Sequence, residues 1–219
     1  MKKSALILFA AIFLTACSSN PIKGNFKAQM VNGNKTTIVE EMVEETTVGL
    51  LGESTKKTLK RNQKDSVSIE LNSDNSYSDD VLSVKFDFQL NYFDVTVINN
   101  SDKPIEYFSD YAYFLGVDEK KYNLVIEKNW KEPQGIVKSQ DNIVIDKHST
   151  AFLNLTPMLN LDFSLGTSLD SVHYWRQKNL LATTQGFTAK KDYVEIMLPF
   201  KRGNEIYTYQ FKLHLLRQS

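Results

Sequence analysis

The last part of the chain carries its clearest structural pattern, Val194–Leu215, which reads VEIMLPFKRGNEIYTYQFKLHL. Apolar side chains occupy alternate positions in both halves: Val194, Ile196, Leu198 and Phe200, then Tyr207, Tyr209, Phe211, Leu213 and Leu215. Because residues two apart share one face of a strand, each half predicts a strand with one buried face. Turn-forming residues 201–204 (KRGN) separate the halves, so the stretch predicts a β-hairpin.

Similar alternation recurs upstream, where short apolar-patterned stretches are separated by polar turns. These predicted strands are Val67–Leu71, Leu82–Leu90, Phe93–Val97, the pair Tyr107–Leu115 and Lys121–Ile126, and the pair Ile143–Asp146 and Ala151–Leu155. The phase of the pattern shifts near Asn91, which indicates a turn or bulge. Since no long helical pattern follows Val67, we predict an all-β antiparallel sandwich over residues 67–219.

Residues 36–66 leave two structures open. Thr37 and Glu40 have the spacing of a helix capping box, and Ile38 and Met42 are spaced i to i+4. The same stretch is rich in Thr and Val, which favours a strand. We therefore expect a charged segment that is either helix or strand.

This segment also contains two blocks of opposite charge. The acidic block comprises Glu40, Glu41, Glu44 and Glu45, and the basic block comprises Lys56, Lys57, Lys60, Arg61 and Lys64. The basic block is either a patch for anionic lipid headgroups or a solvated face whose charge offsets the glutamates.

The first residues have the organisation of an export signal. Lys2 and Lys3 precede the apolar run Ala5–Leu14, whose 10 residues are too few to cross a bilayer as a helix. The run leads into Leu14-Thr15-Ala16-Cys17, which contains the only cysteine of the chain.

That tetrapeptide resembles the lipobox of bacterial lipoproteins. The resemblance implies a signal peptide over residues 1–16, acyl chains such as palmitate on Cys17, and a tether over residues 17–35. Ser18 at the second mature position implies sorting to the outer membrane in a Gram-negative cell, facing the periplasm or the surface. In a Gram-positive cell the same signal implies the outer face of the cytoplasmic membrane.

A second resemblance concerns the domain itself. Residues 92–124 (YFDVTVINNSDKPIEYFSDYAYFLGVDEKKYNL) and 142–157 (NIVIDKHSTAFLNLTP) resemble immunoglobulin-like accessory domains of bacterial exported proteins. The likeness extends over roughly residues 81–216, and it implies an immunoglobulin-like fold without naming a ligand. The Cys…Trp…Cys core of antibody domains is absent from the sequence.

The composition limits the chemistry that we expect. With 26 basic and 26 acidic residues, the chain has no excess positive charge for nucleic acid. Lipidation of Cys17 leaves no thiol for a disulfide or a nucleophile. His148, His173 and His214 lack metal-site spacing, and we expect His214 on the solvent side. We predict no cofactor and no metal.

One loop has a partial likeness to a calcium site. Asp74, Ser76, Ser78 and Asp80 alternate like the first ligands of an EF-hand. The loop lacks the turn glycine at residue 79, which is Asp, and the final glutamate at residue 85, which is Lys. An ordinary solvated loop is the better interpretation, and a looser calcium site stays open.

Residues 156–187 interrupt the strand pattern and collect side chains typical of binding hot spots. We take His173, Tyr174, Trp175 and Arg176, together with Trp130, as candidate binding residues. Alternatively, the aromatic rings plug one end of the sandwich. No G-x-S-x-G motif or phosphate loop indicates an enzyme. We expect a lipid-anchored, non-catalytic binding or scaffold module that recruits an envelope protein, with glycan or peptidoglycan binding and an envelope hydrolase as alternatives.

Overall fold

The computed structural model describes residues 26–49, 52–70, 72–89, 91–126, 142–164, 174–177 and 193–217. In this part of the chain the structure is β, with two short 3-10 turns at Ser109–Tyr111 and Met158–Asn160. The strands are β1 Phe26–Gly49, β2 Gly52–Ile69, β3 Ser76–Ser78, β4 Leu82–Phe88, β5 Phe93–Asn99, β6 Ile105–Tyr107, β7 Tyr113–Leu115, β8 Lys121–Ile126, β9 Ile143–Ile145, β10 Thr150–Pro157, β11 Leu161–Ser164, β12 Tyr174–Gln177, β13 Tyr193–Arg202 and β14 Glu205–Arg217.

Twelve of these strands form one antiparallel sheet in the order β2-β1-β14-β13-β7-β8-β10-β5-β4-β3, with β6 and β9 attached beside β13. The sheet folds back on itself, because Phe86 of β4 packs against Phe211 of β14, with 5.1 Å between ring centroids. We name the two layers of this sandwich the β14 layer (β2, β1, β14, β13, β7, β6, β9) and the β5 layer (β8, β10, β5, β4, β3). The predicted all-β antiparallel sandwich is confirmed.

The core lies between the two layers and is built by the alternation seen in the sequence. On β13 and β14 the alternate side chains from Val194 to Phe200 and from Tyr207 to Leu213 are buried. Phe93, Val95 and Val97 of β5 face them from the other layer. Burial of these rings and branched chains is the main stabilising contribution to the fold.

The terminal hairpin forms as predicted. Arg202 pairs with Glu205, so only Gly203 and Asn204 remain in the loop. Gly203 has φ +62°, a conformation that costs glycine little and other residues more. A positive φ at the first loop position is the pattern of a type II′ turn, whose twist matches that of the paired strands.

Residues 36–66 are strand, and the helix alternative is wrong. β1 pairs with β14 from Phe26 to Val39 and with β2 from Gly33 to Gly49. The predicted tether over residues 17–35 is also wrong from Phe26 onward, and the sandwich begins before residue 67. Although residues 26–35 are polar in composition, hydrogen bonding to β14 and burial of Ala28 and Met30 make them part of the sheet.

The predicted pairing of Ile143–Asp146 with Ala151–Leu155 is wrong as well. β9 pairs with β6 in the β14 layer, whereas β10 pairs with β5 and β8 in the β5 layer. The chain changes layers at the turn after Ile145. The buried Asn99 side chain stabilises this crossing by donating to the carbonyl oxygens of Ile145 and Asp146, at 3.0 and 3.1 Å.

Candidate functional site

The β1–β2 hairpin extends past the sandwich. Pairing of β1 with β14 ends at Val39, and a last backbone hydrogen bond joins the Glu40 amide to the Asn204 carbonyl at 2.8 Å. Beyond that point, residues 41–49 and 52–60 pair only with each other among the described residues. We call these two segments the arm. At about 3.4 Å per residue, the arm extends roughly 30 Å beyond β14.

The acidic and basic blocks of the sequence meet across the arm and its base. Each glutamate of the acidic block stands directly opposite a cation in the β1–β2 register: Glu40 and Arg61, Glu41 and Lys60, Glu44 and Lys57, Glu45 and Lys56. Lys57 lies 2.7 Å from Glu44, and the ammonium of Lys64 lies 3.3 Å from Glu205. The basic block therefore offsets the glutamates, as one of the two sequence interpretations predicted.

The arm leaves strand edges open. β2 is the last strand of the sheet, and no described strand pairs with its outer edge. Its residues from Leu59 to Ser68 are all exposed. Met42 and Leu59, which are opposite each other in the register, expose 62% and 47% of their surface. An open edge presents unpaired backbone donors and acceptors to another strand.

An apolar groove lies beside the base of the arm, on the outer face of the β14 layer. It has a volume of about 370 Å³, and its lining residues come from four strands and from the segment after β6: Ile38, Glu40, Leu59, Arg61, Phe108, Tyr111, Met197, Pro199, Lys201, Ile206 and Thr208. Residues on an outer sheet face are usually polar, whereas most of this lining is apolar. The volume is in the range of small-ligand sites.

One carboxylate joins two cations in the wall of the groove. The Glu40 side chain is only 8% exposed, and it accepts hydrogen bonds from Lys201 Nζ at 2.6 Å and from Arg61 Nε at 2.9 Å. The hydrogen bond from Lys201 and that from Arg61 lower the pKa of Glu40. Glu40 therefore stays ionised at neutral pH and holds both cations beside the apolar lining.

An exposed aromatic ring lies on the β5 layer, on the opposite side of the sandwich from the groove. Phe152 of β10 is 80% exposed on the β5 layer, opposite Thr96 of β5. Nearby, Asn154 donates to Asp94 at 3.1 Å. Phe152 therefore presents an exposed aromatic ring flanked by polar side chains.

The binding residues predicted from the sequence are only partly described. Tyr174, Trp175 and Arg176 belong to β12, which pairs with β11 in a separate two-stranded sheet where Trp175 is opposite Phe163. Trp130 and His173 lie outside the described residues, as do Cys17 and Ser18. The hot-spot prediction therefore stays a prediction.

The loop with partial likeness to an EF-hand is held together by protein contacts. Asp74 accepts hydrogen bonds from Ser76 and from Lys85 at 3.2 Å. In the described ranges, no group of three or more His, Cys, Asp and Glu side chains is arranged to hold a metal ion. On β14, His214 shares the outward-facing side with Lys212, in agreement with the sequence prediction.

Sequence reasoning missed the groove because its parts are far apart in the chain. Glu40 and Lys201 are separated by 161 positions and meet only through the β1–β14–β13 pairing. A partial signal was present in the terminal hairpin. Met197, Pro199 and Ile206 are apolar residues at positions that alternate with the core residues, where polar side chains are expected.

Comparison of the chain with protein families, with curated proteins and with solved structures finds no match. In the portion of the chain described, no helix combines the length and apolar character needed to cross a membrane.

Proposed function

We propose that this protein is a lipid-anchored binding module of the cell envelope, which recruits another envelope protein by strand addition to its arm. The single observation that supports the recruitment is the arm, where β2 has no described strand on its outer edge. Extended segments bind such edges through backbone hydrogen bonds, and alternate side chains supply specificity.

The charge of the edge favours a particular kind of partner. Strand β2 carries Lys56, Lys57 and Lys60. The glutamates opposite these lysines all lie on β1, which is the neighbour of β2 on its inner side. A strand added on the free side of β2 would lie next to these lysines. Because opposite charges stabilise neighbouring strands, an acidic extended segment is the expected partner. Lysines on an edge also disfavour pairing with uncharged strands, which limits aggregation.

The proposed anchor and the arm lie at opposite ends of β1. Lipid on Cys17 is close in sequence to Phe26, where β1 begins, and the arm ends at Gly49, 24 residues along the same strand. A strand of that length spans at most about 80 Å. The module would therefore present its arm away from the membrane. Because the lipid confines the protein to the membrane surface, the effective concentration of the arm toward envelope partners is raised.

The recruitment is tested by capture from detergent-solubilised envelopes. Wild-type protein is compared with a variant in which residues 43–58 are replaced by Asn-Gly, which joins the register pair Met42 and Leu59. We expect a partner with wild type and none with the shortened variant. Equal recovery with both chains would contradict binding through the arm, and turnover of a substrate by the purified domain would contradict a non-catalytic module. Self-association of the purified chain would identify a second copy as the partner.

A second candidate function is glycan or peptidoglycan binding, and the exposed ring of Phe152 favours it. Co-sedimentation with purified peptidoglycan tests this alternative. Phe152→Ala is expected to abolish sedimentation, whereas Val144→Ala, which removes another exposed apolar side chain, is expected to leave it unchanged. Sedimentation that survives Phe152→Ala would contradict this site.

A further inference from the structure

We propose that the groove on the β14 layer binds an amphipathic anion, a single acyl chain that ends in a carboxylate or a phosphate. The acyl chain would contact Ile38, Met197, Pro199 and Ile206, and the anionic head would lie beside Lys201 and Arg61. The groove uses side chains of β2, Leu59 of the arm and Arg61 at its base, whereas strand addition uses the backbone of the outer edge of β2. The inference therefore does not depend on recruitment by strand addition.

The shape of the groove favours an apolar ligand body. Its floor consists of outward-facing side chains of β1, β13 and β14, and Phe108 and Tyr111 project beside it from the segment after β6. An ordinary solvated sheet face has no such wall. Burial of the methylenes of an acyl chain against this surface favours binding.

The charges of the groove favour an anion. Among its lining residues the carboxylates and the basic side chains are Glu40, Arg61 and Lys201, which together leave one positive charge. Glu40 fixes both cations through short hydrogen bonds, at 2.6 Å from Lys201 and 2.9 Å from Arg61. Lys201 also lies over the Phe108 ring, with its Nζ 5.7 Å from the ring centroid.

The two cations keep donors for a ligand. An ammonium has three N–H donors and a guanidinium has five. Glu40 accepts from both cations and Tyr111 also hydrogen-bonds to Arg61, which leaves further N–H donors on each cation. Lys201 is partly exposed and half of the Arg61 side chain is exposed. A carboxylate or phosphate that approaches along the groove therefore meets pre-positioned, partly desolvated donors, which strengthens charge-assisted hydrogen bonds.

The test is an NMR titration at neutral pH of a chain that starts at Ser18 and keeps every described residue. The probes are decanoate, decyl phosphate, 1-decanol and decyltrimethylammonium. We expect both anions to bind and to shift the amide signals of Ile206 and Thr208, with affinity for decanol at least about tenfold weaker and no binding of the cation. A preference between the two anions identifies the head group, as in a free fatty acid or a phosphate ester.

Lys201→Met provides the matched variant, with Lys85→Met as a control on the other layer. We expect Lys201→Met to weaken decanoate binding about tenfold without changing decanol binding, and Lys85→Met to change neither. If Lys201→Met does not fold, Arg61→Met takes its place. Three results would each overturn the proposal. These are failure of both anions to bind, equal affinity for decanoate and decanol, and signal shifts confined to residues outside the groove.

Discussion

At the scale of single residues, Lys35 and Asp79 form an ion pair that joins the two layers. Lys35 of β1 lies 2.6 Å from Asp79, and both side chains are largely buried. Asp79 also accepts hydrogen bonds from the Tyr209 hydroxyl at 3.0 Å and from the amides of Val81 and Leu82 at 2.8 Å each. These partners compensate for the burial of its charge.

Asp79→Asn is therefore expected to destabilise the domain by about 3 kcal/mol, because the largely buried ammonium of Lys35 then keeps only the more distant, exposed carboxylate of Asp80 as a charged partner. Urea unfolding measures the change. Asp80→Asn is the matched control, since Asp80 also faces Lys35, at 3.6 Å, but is 82% exposed. We expect the control to change the unfolding free energy by less than about 0.5 kcal/mol. Equal effects of the two substitutions on the unfolding free energy would contradict a larger stabilising contribution from the buried Lys35–Asp79 pair.

Glu205 makes stability depend on acid pH. Its pKa is lowered from 4.5 to about 2, by the hydrogen bond from Tyr207 first and then by those from Arg202 and Lys64. The pKa of Glu205 is lower in the folded chain than in the unfolded chain, so its ionised carboxylate stabilises the fold. This stabilisation is fully present above pH 4.5 and is lost as the pH falls toward 2.

We therefore expect the unfolding free energy of the wild type to decrease through this pH window. Glu205→Gln should reduce that decrease, because it removes the carboxylate that the protons bind. Denaturant unfolding at a series of pH values measures both profiles. Identical slopes for the two chains would contradict the assignment to Glu205.

At the scale of elements, β1 has two parts with different roles. From Gly33 to Val39 it is paired on both sides, by β14 and by β2. Within the arm it is paired on one side only, and the ion pairs there are between exposed side chains, as with Glu44 and Lys57. Exposed pairs and two-stranded ribbons contribute little to global stability.

Replacement of residues 43–58 by Asn-Gly is thus expected to change the unfolding free energy of the sandwich by less than about 1 kcal/mol. Gly33→Ala on the doubly paired part is the contrasting variant. A Cβ at Gly33 would lie 2.5 Å from the Gln210 carbonyl oxygen, which forces a backbone shift. We expect this single methyl to cost about 1–3 kcal/mol. A larger loss from the arm replacement would show that the arm supports the sandwich.

At the scale of the whole molecule, few residues separate the proposed anchor from the domain. Since β1 begins at Phe26, only residues 18–25 separate the proposed lipidated Cys17 from the sheet. Eight extended residues span at most about 29 Å. On this proposal the domain stays close to the bilayer, and its long first strand carries the arm outward.

Cys17→Ser is expected to move the protein from the membrane fraction to the soluble fraction, because acyl chains on the thiol are the proposed attachment. Fractionation and intact-mass measurement check this. Ser18→Asp is a control that keeps the thiol, and we expect it to remain membrane-bound. Unchanged mass and unchanged membrane association of Cys17→Ser would contradict lipidation.

Local pattern predicted much of the fold. The alternation of Phe93, Val95 and Val97 gave the correct buried face, and KRGN gave the correct turn, because both depend on residues close in the chain. The helix alternative at residues 36–66 is wrong because residues spaced i and i+4 share one face of a strand as well as one face of a helix. There, pairing with β2 and β14 decided the structure.

The sequence by itself therefore determined the fold class and the terminal hairpin, since both depend on short-range periodicity or a contiguous motif, and the export signal stays a prediction from such a motif. Only the tertiary structure decided which strands pair across the layers, that β9 and β10 separate, and that Glu40 meets Lys201 in a groove. These features depend on contacts between distant parts of the chain, which form only when the whole sheet closes on its core.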